Sequence, residues 1–121
     1  MDRITDAHDC GRAINVTSVE GQMEGSVSMG LGEALFEEVK FNNKGHVINA
    51  DLAEYLIPVN ADIGAVKAIM LPETDTQVNP LGIKGLGELA NVGTNAAVAN
   101  AVYHATGRRL RDLPIRLEQL L

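Results

Sequence analysis

Aromatic side chains are nearly missing from this chain: they make up 3% of its 121 residues and none is Trp. The core therefore falls to Val, Ile, Leu, Met and Ala. A single cysteine, Cys10, excludes an internal disulfide and a Cys-based zinc cage; it reads as a small buried or half-buried residue rather than a reactive thiol. No apolar run approaches the ~18 residues that a bilayer span needs, and the opening Met1-Asp2-Arg3-Ile4-Thr5-Asp6 is too polar for a secretory signal. A soluble chain with no membrane partner is expected. Basic residues are also short, 10 Lys and Arg against 16 Asp and Glu, for a net charge of −6 and a pI near 4.9. Binding to a phosphate backbone needs clustered Lys and Arg. The one such cluster, Arg108, Arg109 and Arg111, follows a helical segment, where it serves to cap carbonyls or pair with acids. No nucleic-acid partner is expected.

Chemistry-bearing patterns are sparse too. His8, His46 and His104 show no metal-ligand spacing, so no metal site is expected from the chain's own side chains. No Ser or Cys sits in a nucleophile elbow. The glycine-rich stretches match neither a dinucleotide fingerprint nor a P-loop. The paired carboxylates Asp2 and Asp6, and Glu37 and Glu38, read as solvated surface.

What is present is enough for one domain with a single core, at 45% apolar residues. The chain is organised around Asn79-Pro80-Leu81-Gly82-Ile83-Lys84-Gly85-Leu86-Gly87-Glu88, a glycine loop closed by one carboxylate. Glycine lets a second surface approach without a Cβ in the way. Such a loop, ending in an acid at a helix start, suits a reactive carboxylate; equally, Glu88 at that place favours the positive end of a helix dipole.

Along the chain, residues 3–10 read as a first strand and Asp9 to Asn15 as a turn. A helix runs from Thr17 or Ser18 to about Glu38, with Ser18 as N-cap and Val19, Met23, Val27, Leu31, Ala34 and Leu35 on one face. Gly21, Gly25, Gly30 and Gly32 lie inside it, each costing about 1 kcal/mol relative to Ala. Gly21 and Gly25 share a face beside Gln22, which serves either a tight packing seam or a ligand surface. Val39 to Ile48 reads as a β-hairpin around a Gly45 loop, and Ile63 to Leu71 as a strand. Leu89 to Ala105 reads as the strongest helix, stopped by Gly107. The fold class expected is α+β, a mostly antiparallel sheet with two long helices packed on one face.

Several of these pieces stand in an order that resembles the C-terminal end of the molybdopterin-binding subunit in the xanthine dehydrogenase and aldehyde oxidase family. They are Asp9-Cys10-Gly11-Arg12-Ala13-Ile14-Asn15, then Glu20-Gly21-Gln22-Met23-Glu24-Gly25. Next come Gly30-Leu31-Gly32-Glu33-Ala34-Leu35 with Glu37-Glu38, and Lys84-Gly85-Leu86-Gly87-Glu88. Asn100 to Gly107 and Leu113-Pro114-Ile115 close the series. The stretch from Leu52-Ala53-Glu54-Tyr55 to Asp62 looks most like bacterial aldehyde-oxidising members. Val16 stands where the family usually has Pro, and the final segment lacks a usual Pro; neither touches the chemistry.

The resemblance implies that residues 1–121 form a partial C-terminal domain of a larger molybdenum-binding domain. It implies that Glu88 is the catalytic base, taking a proton from the molybdenum-bound hydroxyl as an aldehyde or N-heterocycle is hydroxylated. Gln22 would contact the pterin, and the backbone of Gly85, Leu86 and Gly87 would pass beside it. The implied cofactor is molybdopterin with molybdenum, in the cytosine dinucleotide form, in the complete enzyme and absent from the isolated chain. Implied partners are preceding molybdenum-binding domains, FAD and iron–sulfur subunits, and a small-molecule substrate. The compartment expected is the cytoplasm, with the periplasm open. A rival expectation is a non-catalytic α+β module that associates with itself or a partner subunit through its glycine-rich helix. Self-association is expected in isolation, from apolar surface left uncovered.

Overall fold

The computed structural model describes residues 3–121; Asp2, with its pairing to Asp6, lies outside them. Two α-helices carry the fold, α1 over Val16–Leu35 and α2 over Thr94–Thr106, with 3-10 turns at Leu89–Asn91 and Leu117–Leu120. Asn15 caps α1: its side-chain oxygen accepts from the Ser18 N–H at 3.0 Å. The cap therefore falls three residues before Ser18, because Asn15 reaches the third helical N–H. At the other end the Phe36 and Glu37 N–H groups both donate to the Gly32 carbonyl, at 2.8 and 2.9 Å, and the helix closes before Glu38.

The buried face of α1 differs from the expected apolar stripe. Val19, Ser26, Gly30 and Ala34 are buried, whereas Met23, Val27 and Leu31 are only half-buried. Small residues win this face because α2 and the turn before it come in close. A Cβ on Gly30 would lie 2.6 Å from Thr94 Cβ, and Thr94 is completely buried. Gly30 and Gly32 thus serve internal seams. Beyond them Ala34, Val98 and Ile115 form a small core, joined by Leu31, Leu35 and Val102. The Ile115 N–H donates to the Ala34 carbonyl at 2.7 Å, tying the C-terminal segment to the end of α1.

The expected helix from Leu89 is split. The 3-10 turn Leu89–Asn91 comes first, and α2 starts only after Gly93. Its far end is as expected: Gly107 takes a left-handed φ of 73° and donates to the Tyr103 carbonyl at 2.7 Å.

The expected antiparallel sheet is not what forms, and the helices pack on each other rather than on a sheet face. Among the described residues the β pairing consists of two isolated antiparallel bridges, Gly11 to Ile83 and Phe41 to Val47. The second closes the Asn42–Gly45 loop of the expected hairpin without extending into strands. Residues 65–71 do alternate as a strand does, Val66, Ala68 and Met70 half-buried and their neighbours exposed. Yet these residues make no backbone–backbone hydrogen bond among the described residues. Alternation and β-branching report a local preference, whereas a ladder needs a partner backbone at hydrogen-bonding distance. That partner is not legible in the segment itself. Residues 3–11 and 64–71 instead face each other across a groove of about 880 Å³, floored by Met23, Val27 and Leu31 of α1.

Candidate functional site

The glycine loop is fixed at its near end by the turn that precedes α1. Gly11 and Gly82 both adopt left-handed φ, 62° and 66°, where a side chain would be strained. A Cβ on Gly11 would also lie 2.5 Å from the Gly82 carbonyl. The closeness is used: the Arg12 N–H donates to the Gly82 carbonyl at 2.7 Å and the Lys84 N–H to the Cys10 carbonyl at 3.1 Å. Asn79 folds the loop on itself, accepting from the Leu81 N–H at 3.0 Å and donating to the Ile83 carbonyl at 2.6 Å.

Lys84 adds a charged tether that sequence reasoning missed. Its Nζ lies 3.1 Å from Asp75, 3.4 Å from Glu73 and in direct contact with Asp9. Its pKa is raised above 10.5, chiefly by the hydrogen bonds to Asp9 and then Asp75. The Lys84 hydrogen bond, followed by the Gly11 N–H, holds the Asp9 carboxyl below its usual range. Asp75 is lowered by Lys84 and then by the Gln77 N–H. The partners come from residues 9, 73 and 75, so no local pattern around Lys84 announces them.

Past Lys84 the chain reaches the residues singled out from sequence, and the fold brings Gln22 against Gly87. Gln22 Nε2 of α1 donates to the Gly87 carbonyl at 3.0 Å, linking residues 65 apart in the chain. Gly85, half-buried Leu86 and Gly87 run alongside, and Glu88 follows as an exposed residue. Glu88 caps the 3-10 turn Leu89–Asn91, at φ −101°, without its side chain bonding the turn. The expected α-helix N-terminus directly behind Glu88 is corrected accordingly: α2 begins at Thr94, and a one-turn 3-10 segment stands between.

The glycines around this contact have no internal explanation. A Cβ built on Gly21, Gly25, Gly85 or Gly87 meets nothing within 4 Å, and none of the four has positive φ. Gly11, Gly30, Gly32, Gly82 and Gly93, by contrast, are each in close contact with other atoms. Gly21 and Gly25 flank Gln22 in the chain, and Gly85 and Gly87 belong to the segment it bonds; Gly64, which lines the groove, is open in the same way. None of Gln22, Gly85, Leu86, Gly87 or Glu88 lines the 880 Å³ groove.

Two further acids differ from expectation. Tyr55 Oη donates to Glu37 at 2.8 Å and Arg116 contacts Glu38, so this pair is engaged rather than merely solvated. That carboxylate raises the Tyr55 pKa above 10.0 through its hydrogen bond. Among the described residues no three His, Cys, Asp or Glu side chains are grouped to hold a metal ion.

Most of the chain is similar to known proteins. The model of the molybdopterin cofactor-binding domain matches residues 1–64. The chain is 46% identical over 112 residues, 92% of its length, to the aldehyde oxidoreductase molybdenum-binding subunit PaoC of Escherichia coli K12. It is 35% identical over 121 residues, 99% of its length, to the xanthine dehydrogenase molybdenum-binding subunit of Escherichia coli O157:H7. Quinoline 2-oxidoreductase from Pseudomonas putida 86 matches its fold over 93% of the chain, with a TM-score of 0.80 at 34% identity. The chain belongs to the molybdopterin cofactor-binding family, whose members here are molybdenum-dependent oxidoreductases. It spans 15% and 16% of the length of the two subunits and 14% of the quinoline enzyme's chain.

Proposed function

We propose that this chain is the part of a molybdenum hydroxylase that delivers the catalytic base, Glu88, to a molybdopterin cofactor. Gln22 and the Gly85-Leu86-Gly87 backbone lie against that cofactor. The observation that carries the reading is the Gln22–Gly87 hydrogen bond at 3.0 Å, between two segments whose glycines Gly21, Gly25, Gly85 and Gly87 have Cβ positions facing open space. The residues fit a flat heterocycle with a polar edge. Missing side chains at Gly21, Gly25, Gly85 and Gly87 let a ring system reach the backbone. Gln22 keeps one N–H and its Oε1 free of the Gly87 bond to pair with a ring edge.

When bound, the molybdenum–pterin group supplies the two-electron oxidation. This chain's residues hold and move the proton. Glu88, exposed at the end of the glycine loop, accepts it at a carboxylate oxygen during attack on the substrate carbon. General-base help of this kind is worth about 100- to 10,000-fold in rate. The relatives' names support an aldehyde or N-heterocycle as substrate. Resemblance to bacterial aldehyde-oxidising members supports the cytosine dinucleotide form of the cofactor, with FAD and iron–sulfur subunits and the preceding molybdenum-binding domains as partners.

The test is Glu88→Gln in the assembled enzyme: turnover is lost while molybdenum per subunit is unchanged. A second reading, a non-catalytic module that associates through exposed surface, draws on Ile69 and Leu71, 73% and 79% exposed. Turnover that survives Glu88→Gln favours that reading.

A further inference from the structure

We propose that Glu33 is a positioning residue for Glu88, an inference that rests on the role given to Glu88 above. Gln22 and Glu33 lie eleven residues apart on α1, about three turns, and so project from one face. Gln22 holds the glycine loop just before Glu88; Glu33 holds the turn just after it. Asn91 Nδ2 donates to Glu33 Oε1 at 3.0 Å and Asn95 Nδ2 donates to Glu33 Oε2 at 2.8 Å. Each carboxylate oxygen thus takes one amide. Asn91 is the last residue of the 3-10 turn that Glu88 caps, and its own N–H donates to the Glu88 carbonyl at 3.1 Å. A continuous path of hydrogen bonds therefore runs from a carboxylate on the long helix, through one side chain, to the backbone of the base.

Two details set this apart from ordinary surface polarity. The Oδ1 atoms of Asn91 and Asn95 are buried without a hydrogen-bond partner among the described residues, so the amides' directed bonding falls on Glu33. Gly30 makes room for the arrangement, since a Cβ there would lie 2.5 Å from Asn91 Oδ1.

The experiment compares Glu33→Ala, Glu33→Gln, Asn91→Ala and Glu88→Gln in the assembled enzyme, reading kcat, KM and molybdenum per subunit. Hydrogen exchange at Leu89–Val92 is measured alongside. A misplaced base lowers kcat by about 10- to 100-fold. In Glu33→Ala and Asn91→Ala that drop is expected with KM and molybdenum unchanged, together with faster exchange at Leu89–Val92. Glu33→Gln keeps an oxygen acceptor and restores kcat to within about threefold, an Asn amide rotating to face its new N–H₂. Unchanged kcat in both Glu33→Ala and Asn91→Ala, while Glu88→Gln is dead, overturns the positioning role alone. So does a loss of molybdenum in step with kcat, or failure of Glu33→Gln to recover. Turnover retained in Glu88→Gln overturns the catalytic reading and the positioning role with it.

Discussion

Replacing Gly21 and Gly25 together by Ala separates a helix built for itself from one built for a ligand. Both glycines sit inside α1, are exposed, and offer an added Cβ no atom within 4 Å. No steric cost offsets the gain in helix propensity, about 1 kcal/mol for each site. The pair should therefore stabilise the chain by about 2 kcal/mol, which at about 4 °C per kcal/mol for a domain of this size raises Tm by about 8 °C. Thermal unfolding followed by circular dichroism reads the shift. Gly30→Ala is the internal contrast. Its Cβ would lie 2.5 Å from Asn91 Oδ1 and 2.6 Å from Thr94 Cβ, and overpacking of about 1–3 kcal/mol cancels or exceeds the propensity gain. In the assembled enzyme the stabilised double variant should hold less molybdenum, because two methyl groups now occupy the cofactor face. The reasoning is refuted if the double variant melts at or below the parent. It is refuted equally if Tm rises and molybdenum per subunit stays the same.

Gly85→Val places a branched side chain on the loop where no internal atom lies within 4 Å; molybdenum per subunit should fall several-fold in the assembled enzyme, and full occupancy would take this loop away from the cofactor. The Lys84 tether predicts a pH window. Asp9 and Asp75 are held below 3.8, so their contribution is present above that value and fades as pH falls through their lowered pKa values. Lys84 is raised above 10.5, so its contribution is complete below that value and is lost as pH climbs through its folded pKa. Protection of residues 79–88 against hydrogen exchange, taken relative to the intrinsic rate at each pH, should therefore stay flat from about pH 5 to 9 and fall in acid, with Lys84→Met poorly protected throughout and insensitive to that acid step. A variant loop as protected as the parent's would show that the three carboxylates do not hold it.

How much of this was legible in the sequence depended on the range of the interaction. The Gly107 stop and the two α-helices are local events, set by left-handed backbone preference and by apolar spacing. The N-cap was misplaced from Asn15 to Ser18 because both types cap well and only the reach of Asn15 to the Ser18 N–H decides between them. The expected sheet does not form for a different reason: the alternation at Val66, Ala68 and Met70 is real, but pairing is a property of two segments. The α1 face was misjudged because burial there follows closeness of approach, so Ser26 and Gly30 are buried where Val27 and Leu31 are not. The residue pattern singles out the glycine loop, Glu88 and the face beside Gln22, and the roles proposed for them come from resemblance. The Lys84–Asp9 contact and the Glu33–Asn91–Asn95 clamp join residues 58 to 75 apart, and only coordinates reveal such pairs. Asn91 and Asn95, four apart in an Ala-rich stretch, were the one local hint of a shared partner.

The most direct measurement is the rate at which substrate reduces the enzyme in a single anaerobic turnover, Glu88→Gln against the parent, each loaded equally with molybdenum. Mixing in a stopped-flow instrument isolates the chemical step from product release and from electron transfer to other subunits. If this carboxylate accepts the proton, reduction slows by at least about 100-fold with substrate binding unaltered. Reduction within a few-fold of the parent would mean that the proton goes elsewhere.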